Sequence, residues 1–308
     1  MRRISLLGLV LCVVLMGVVV SCDKKEKEEV NPTPTPAPAP TPEPEPDVEP
    51  TWEEGKLPGV FSVGATKKVR FSQGNLQYQA STGSWRFAGH QYEARLAENT
   101  HIASDYGGWI DLFGWGTGDH PTEVVMDYSP YYSFAEWGEN VITNGGTTNS
   151  WRSLEKDDWV YLFYTRDDAA TLFGFGTVNG MNGLIILPDD WETPEGVTFA
   201  ASTGKGLVSN GSIYENTAED NYSHNSYTMT EWWKMERSGA VFLPSAGQRV
   251  GSNTVIVDGS VGGYWTSIPY EGDACLAHGL SFSERYLSPG GYNANYFGRS
   301  VRLVMEVE

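Results

Sequence analysis

Between residues 31 and 50 proline stands at almost every second position: Asn31-Pro-Thr-Pro-Thr-Pro-Ala-Pro-Ala-Pro-Thr-Pro-Glu-Pro-Glu-Pro-Asp-Val-Glu-Pro50. Each proline lacks a backbone N–H and fixes φ, so this run can form neither helix nor central strand and favours extended polyproline II. At about 3.1 Å per residue it spans on the order of 60 Å. Whatever folds must therefore lie beyond it, in residues 51–308, a length that holds one large domain or two small ones. We expect one domain there and a charged and proline-rich linker over 22–50.

Ahead of the linker, Arg2 and Arg3 precede an apolar run from Leu6 to Val20, too short for a comfortable membrane span. The run ends in Val19-Val20-Ser21-Cys22, which resembles a bacterial lipobox. That resemblance implies a signal peptide over 1–21, cleavage before Cys22, and a lipid on its sulfur and new amino group. Several acyl chains hold a protein at a membrane where one is marginal. The charged run that follows Cys22, Asp23-Lys-Lys-Glu-Lys-Glu-Glu29, resembles a surface-export signal of Bacteroidetes lipoproteins. The expected location is the outer membrane, lipid-anchored and cell-surface exposed, with the membrane as partner through Cys22.

A formal charge of -18 argues against nucleic acid and anionic lipid as partners. Of three cysteines, Cys12 leaves with the signal and Cys22 takes lipid, so Cys275 has no intrachain partner. His90, His101, His120, His224 and His278 show no metal-ligand spacing. The pairs Asp157-Asp158, Asp167-Asp168 and Asp189-Asp190 are adjacent, and adjacent side chains point apart on a helix or strand. No catalytic carboxylate pair follows from them, and neither enzyme activity, metal nor cofactor is expected.

Along the domain, residues 68–78 alternate apolar and polar positions, break at Ala80-Ser-Thr-Gly83 and resume at Ser84-Trp-Arg-Phe87, which predicts a hairpin. Residues 90–104 are polar and weakly helical. The Gly107–Gly118 run interleaves glycine with Trp and Phe; no strand feeds it and no lysine follows, so it reads as a packed aromatic loop, not a phosphate loop. Residues 119–150 read as an aromatic loop folded back on the core. Residues 153–166 predict a helix capped by Ser153, and 177–191 a strand, turn and buried strand stopped by Pro188. A polar loop over 199–228 precedes a short helix started by Thr230. Val241-Phe-Leu243 and Val301-Arg-Leu-Val304 read as strands with a buried face. Between them, residues 264–297 mix Tyr, Asn, Ser and Gly as recognition surfaces do. Two fixed strands carrying a binding surface is the expected arrangement.

Seven motifs in order then carry a resemblance over about residues 60–306: Val69-Arg-Phe-Ser-Gln-Gly-Asn-Leu-Gln-Tyr78, Gly108-Trp-Ile-Asp-Leu-Phe-Gly-Trp-Gly116, Asp158-Trp-Val-Tyr-Leu-Phe163 with Arg166, Val178-Asn-Gly-Met-Asn-Gly-Leu-Ile-Ile-Leu-Pro-Asp-Asp-Trp191, Gly239-Ala-Val-Phe-Leu-Pro-Ser-Ala-Gly247, Gly263-Tyr-Trp-Thr-Ser267 and Arg299-Ser-Val-Arg-Leu-Val304. The order resembles Bacteroidetes lipoproteins with a C-type-lectin-like domain, akin to the Fibrobacter major paralogous domain. The resemblance implies one α+β domain with small twisted antiparallel sheets, two short helices and many long loops. The calcium motifs of animal C-type lectins are absent, so calcium-dependent sugar binding does not carry over. Formylglycine-generating enzymes use this fold with a reactive cysteine pair, and Cys275 stands alone. Variable proteins diversified by retroelements also use it, with mutable codons between strands like Tyr264-Trp-Thr-Ser267 and the terminal one. Residues 270–297 contain the products of adenine-directed mutation of Asn codons, among them Asp273, Ala274, Cys275, Leu276, Ala277, His278, Asn293, Asn295 and Tyr296.

The expected function is binding of an external protein or glycan through Tyr264, Trp265, Tyr270, Asp273, His278, Tyr286, Tyr292, Asn293, Asn295 and Tyr296, the aromatics by area and the polar groups by hydrogen bonds. The alternative is a structural or adhesive cell-envelope component whose aromatics only build a core.

Overall fold

A computed structural model describes residues 48–146, 150–202, 214–215, 221–252, 254–256, 259–284 and 286–307. The expected signal peptide, the Cys22 anchor, nearly all of the linker and most of the 199–228 loop lie outside the described residues.

The ends of the domain pair with each other. Strand β1 (Phe61–Ser62) runs beside β2 (Lys68–Phe71), β2 pairs antiparallel with the last strand, β16 (Leu303–Glu306), and β16 with β5 (Arg152–Ser153). Val304 lies opposite Phe71, so the apolar alternation of both strands faces one core. A second sheet has the order β10 (Val241–Pro244), β7 (Met181–Ile186), β6 (Phe173–Val178), β9 (Asn225–Tyr227), with only the last pair parallel. The β6–β7 turn is Asn179-Gly180 with φ of 48° and 80°, the left-handed pair that a two-residue hairpin needs. The predicted hairpin is β3 (Leu76–Gln79) with β4 (Ser84–Phe87); Lys68–Phe71 is not part of it and serves the terminal sheet. The third large sheet joins β13 (Val261–Pro269), β14 (Leu276–Ser283), β15 (Tyr286–Ala294) and β8 (Tyr214–Glu215). A small ribbon pairs β11 (Gln248–Val250) with β12 (Thr254–Ile256).

Two α-helices stand among the described residues, and the architecture is α+β. Helix α1 (Lys156–Tyr164) starts later than predicted: Glu155, not Ser153, is the cap, in a reciprocal box with Asp158. Ser153 cannot cap because it lies in β5, its hydroxyl donating to Glu136 Oε1 at 2.8 Å. Helix α2 (Met229–Arg237) is capped by Thr228 with Glu231 three residues on, two residues before the predicted start at Thr230. Residues 90–104 hold one 3-10 turn, Ala97–Thr100, and no α-helix. None of the described helices is long and apolar enough to cross a membrane.

Four arginines hold these pieces together from inside. Arg302 donates from Nε to Asn75 Oδ1 (3.1 Å), from Nη1 to Ser72 O (3.0 Å) and from Nη2 to Phe242 O (2.8 Å), bridging the first and second sheets. Arg166 reaches the carbonyls of Leu162, Leu172 and Leu187 and the carboxylate of Asp189. Burial pushes the Arg166, Arg249, Arg299 and Arg302 guanidinia down to about 10. All four stay protonated at neutral pH, so their many donors remain available to loop carbonyls that no strand satisfies.

Candidate functional site

The run Gly298-Arg299-Ser300 before the last strand is the hub behind the candidate surface. Gly298 exchanges both backbone hydrogen bonds with Arg249 (2.8 Å each), Arg299 exchanges both with Phe113 (2.9 Å each), and Ser300 N donates to Gly263 O at 3.0 Å. Arg299 lies over the Trp265 ring, and its Nη2 donates to Ser281 Oγ at 2.6 Å. A Cβ on Gly263 would stand 2.4 Å from this guanidinium and one on Gly279 would stand 2.6 Å from it. Glycine is therefore required on both strands for the arginine to pass. The Gly107–Gly118 run is, as expected, a packed loop: Ile110, Leu112, Phe113 and Trp115 are buried, and Trp115 Nε1 donates to Thr266 O at 2.8 Å.

This hub corrects the expected arrangement. Val241–Pro244 belongs to the second sheet, so the surface is not slung between it and the terminal strand. Residues 264–297 pair with themselves instead, as β13, β14 and β15, with β15 shifted in register between Gly279 and Ser281.

Four of the expected contact residues are structural. Tyr264 is fully buried, stacks on Phe282 and donates from its hydroxyl to Pro244 O at 3.1 Å. Trp265 is buried and donates to Phe113 O at 2.8 Å. Asn295 is buried, its Nδ2 donating to Tyr131 O (3.2 Å) and Ala274 O (3.3 Å). His278 is buried, with Nδ1 donating to Gly290 O at 3.1 Å and Nε2 3.2 Å from Glu271 Oε2. Such groups shape a surface without touching a ligand. Tyr286 is half-buried at the start of β15, and burial pushes its hydroxyl up.

The remaining residues fall into two aromatic groups. In the first, Tyr270 stacks on Tyr292 with ring centroids 4.2 Å apart, and His278 meets Tyr270 edge-on. Tyr292 is 53% exposed. Glu271, fully exposed beside them, is held below the ordinary carboxylate range by its own backbone N–H and by the His278 ring. Asn293 is half-buried opposite Ala277, in the next register position.

The second group draws on a segment that the sequence did not mark. Tyr296 packs edge-on against Tyr128, centroids 5.3 Å apart, and Tyr132 OH lies 4.0 Å from Cys275 Sγ. Tyr132 is 57% exposed, as is Met126, and Val125 is exposed beside it. The 119–150 loop is folded back on the core at Tyr131, Phe134, Trp137 and Ile142, as expected, with the Tyr131 hydroxyl donating to Val125 O at 3.0 Å, whereas Val125, Met126 and Tyr132 stand exposed. Asp273 is exposed and accepts from Cys275 N at 2.9 Å; Asp127 accepts from Ser129 N at 3.2 Å. The hydrogen bond to Cys275 and the carboxylates of Asp127 and Asp273 push the Tyr132 hydroxyl up. Partial burial and the same two carboxylates push the Cys275 thiol up, against the Tyr132 hydrogen bond. The signal that could have found this group is Val124-Val-Met126 between acids Glu123 and Asp127: an apolar run with no periodicity to place it in a core.

Among the described residues no cluster of three His, Cys, Asp or Glu side chains could hold a metal ion. What the arrangement can do is present aromatic faces and carboxylates on a fixed β scaffold. Comparison with models of protein families, with curated proteins and with solved structures finds no match.

Proposed function

We propose that this chain is a lipid-anchored surface protein that binds an external protein or glycan through the tyrosine-rich end of a C-type-lectin-like domain. The observation that carries the reading is the display of Tyr292 and Tyr132, each more than half exposed, from strands and turns locked to buried Arg299, Asn295 and Tyr131. Rigid aromatic area of this kind gives contact at low entropic cost, because little is left to order on binding. Small antiparallel sheets, two short helices and long irregular stretches support the lectin-like assignment.

In this reading Cys22 carries the lipid and the proline tract holds the domain away from the outer membrane. No catalysis, metal or cofactor is assigned. Labelling cells with an alkynyl palmitate should mark the wild-type chain and not a Cys22→Ala variant, and protease added to intact cells should remove the domain. A labelled Cys22→Ala chain would end the anchor assignment; full protection from protease would place the domain on the periplasmic side.

Diversification by a retroelement belongs to the same reading. Sequencing the gene from many cells should show variable codons at the exposed positions Asp273 and Tyr292 and the half-buried positions Tyr270, Asn293 and Tyr296. Codons for Val301–Val304 should stay constant. An invariant segment makes this a binder of fixed specificity.

A further inference from the structure

Resting on the binding reading above, we infer that the Tyr128–Tyr132–Tyr296 group takes a basic protein segment, with arginine or lysine side chains laid on the tyrosine faces between Asp127 and Asp273. The charge pattern carries this. Residues 119–134 and 264–298 contain six acids, Asp119, Glu123, Asp127, Glu271, Asp273 and Glu284, against one base, Arg285. Arg249, whose charge reaches Tyr131 from underneath, is buried and donates to Gly251 O (3.0 Å) and Leu112 O (3.2 Å).

The two carboxylates are fixed rather than free to swing, since each holds a backbone N–H two residues on. Both act electrostatically on the Tyr132 hydroxyl and the Cys275 thiol, so they share one neighbourhood with the exposed ring. A cation over a tyrosine face is drawn by the ring quadrupole, and a carboxylate at the rim adds a charge-assisted hydrogen bond. An anionic glycan or a nucleic acid meets repulsion at the same place. Exposed Val125 and Met126 extend the surface with the apolar area that a side-chain stem needs.

The test uses the full chain in detergent and three probes: a Gly-Arg-Ser repeat peptide, its Glu counterpart, and a printed array of neutral and acidic glycans. The Arg peptide should bind at least about tenfold tighter than the Glu peptide. Its affinity should fall severalfold between about 50 and about 300 mM NaCl, as screening shortens the reach of the carboxylates. Asp127→Asn with Asp273→Asn keeps both turn hydrogen bonds and should cost about fivefold or more in affinity. Glu192→Gln with Glu195→Gln, which removes the same charge from an exposed loop elsewhere, should change nothing. Equal losses from both pairs would reduce the effect to net charge and overturn the inference. Salt-insensitive binding to a neutral glycan, lost in Tyr132→Ala or Tyr292→Ala but kept in the Asn pair, would overturn the ligand class and leave the binding surface standing. No probe sensitive to either tyrosine would overturn both.

Discussion

Tyr264 and Tyr292 sit on strands of one sheet, separated by a single intervening strand, in stretches of similar composition. Tyr264 is fully buried and Tyr292 is 53% exposed. The difference is what covers each. Over Tyr264 lie Phe282, the β10 carbonyl of Pro244 and Asn75, which donates to its hydroxyl at 3.3 Å. Over Tyr292 lies the Tyr270 ring, which leaves more than half of it exposed. The same residue type is thus a keystone where two sheets close over it and a contact residue where the sheet runs past its cover.

Substitutions can break or sharpen that contrast. The largest expected effect is Tyr264→Ala, which opens a cavity beside Phe282 and leaves the Asn75 Nδ2 donor without its acceptor. By analogy with buried aromatic truncations it should cost about 3–5 kcal/mol in urea unfolding. A loss below about 1 kcal/mol would mean the cover is loose. Next comes Glu236, a buried acid where Trp52 at the start of the domain meets α2. Its Oε1 accepts from Trp52 Nε1 and Gln91 Nε2, both at 3.2 Å. Burial pushes it from an ordinary 4.5 up to about 7. The folded state therefore keeps a proton that the unfolded chain releases above about 4.5, so stability from this group is full below that pH and is lost as pH rises through about 7. Glu236→Gln, which keeps both hydrogen bonds, should leave stability at about pH 4 nearly unchanged and raise it at about pH 8 by about 3 kcal/mol. A variant with the wild-type pH profile would show that the carboxylate ionises freely.

On the solvent side the effects on folding shrink. Tyr292→Ala removes one stacked pair and should cost about 1 kcal/mol of stability, while abolishing ligand capture. Tyr132→Ser should shift the unfolding midpoint least, within about 0.5 kcal/mol of wild type. If instead either variant changes only the sedimentation behaviour and no soluble ligand is found, the end of the sheet is an assembly contact and the structural alternative gains.

Much of the scaffold was legible in the residues. The Asn179-Gly180 turn, the apolar run Leu184–Leu187, the Trp159, Leu162 and Phe163 stripe and the buried Val241–Leu243 strand are local patterns, dictated by periodicity and turn chemistry. Capping was read less well, because Ser153, Glu155, Thr228 and Thr230 are all competent and only strand pairing at Ser153 removes one of them. The surface was legible as a composition and not as a place. Its glycines at 262, 263, 279, 290 and 291 gave β13 to β15 the look of loop, although two of them exist to let Arg299 through.

By itself the sequence determined where the chain can fold, its charge, and which segments have one face to bury. These follow from proline stereochemistry and side-chain type, which act within a few residues. Only the tertiary structure decided that Tyr264, Trp265, His278 and Asn295 are framework and that Tyr128 and Tyr132 join Tyr296. Exposure is set by what comes to lie on top of a residue, and here Asn75, Phe113 and Tyr131 reach Tyr264, Trp265 and Asn295 from more than a hundred positions away.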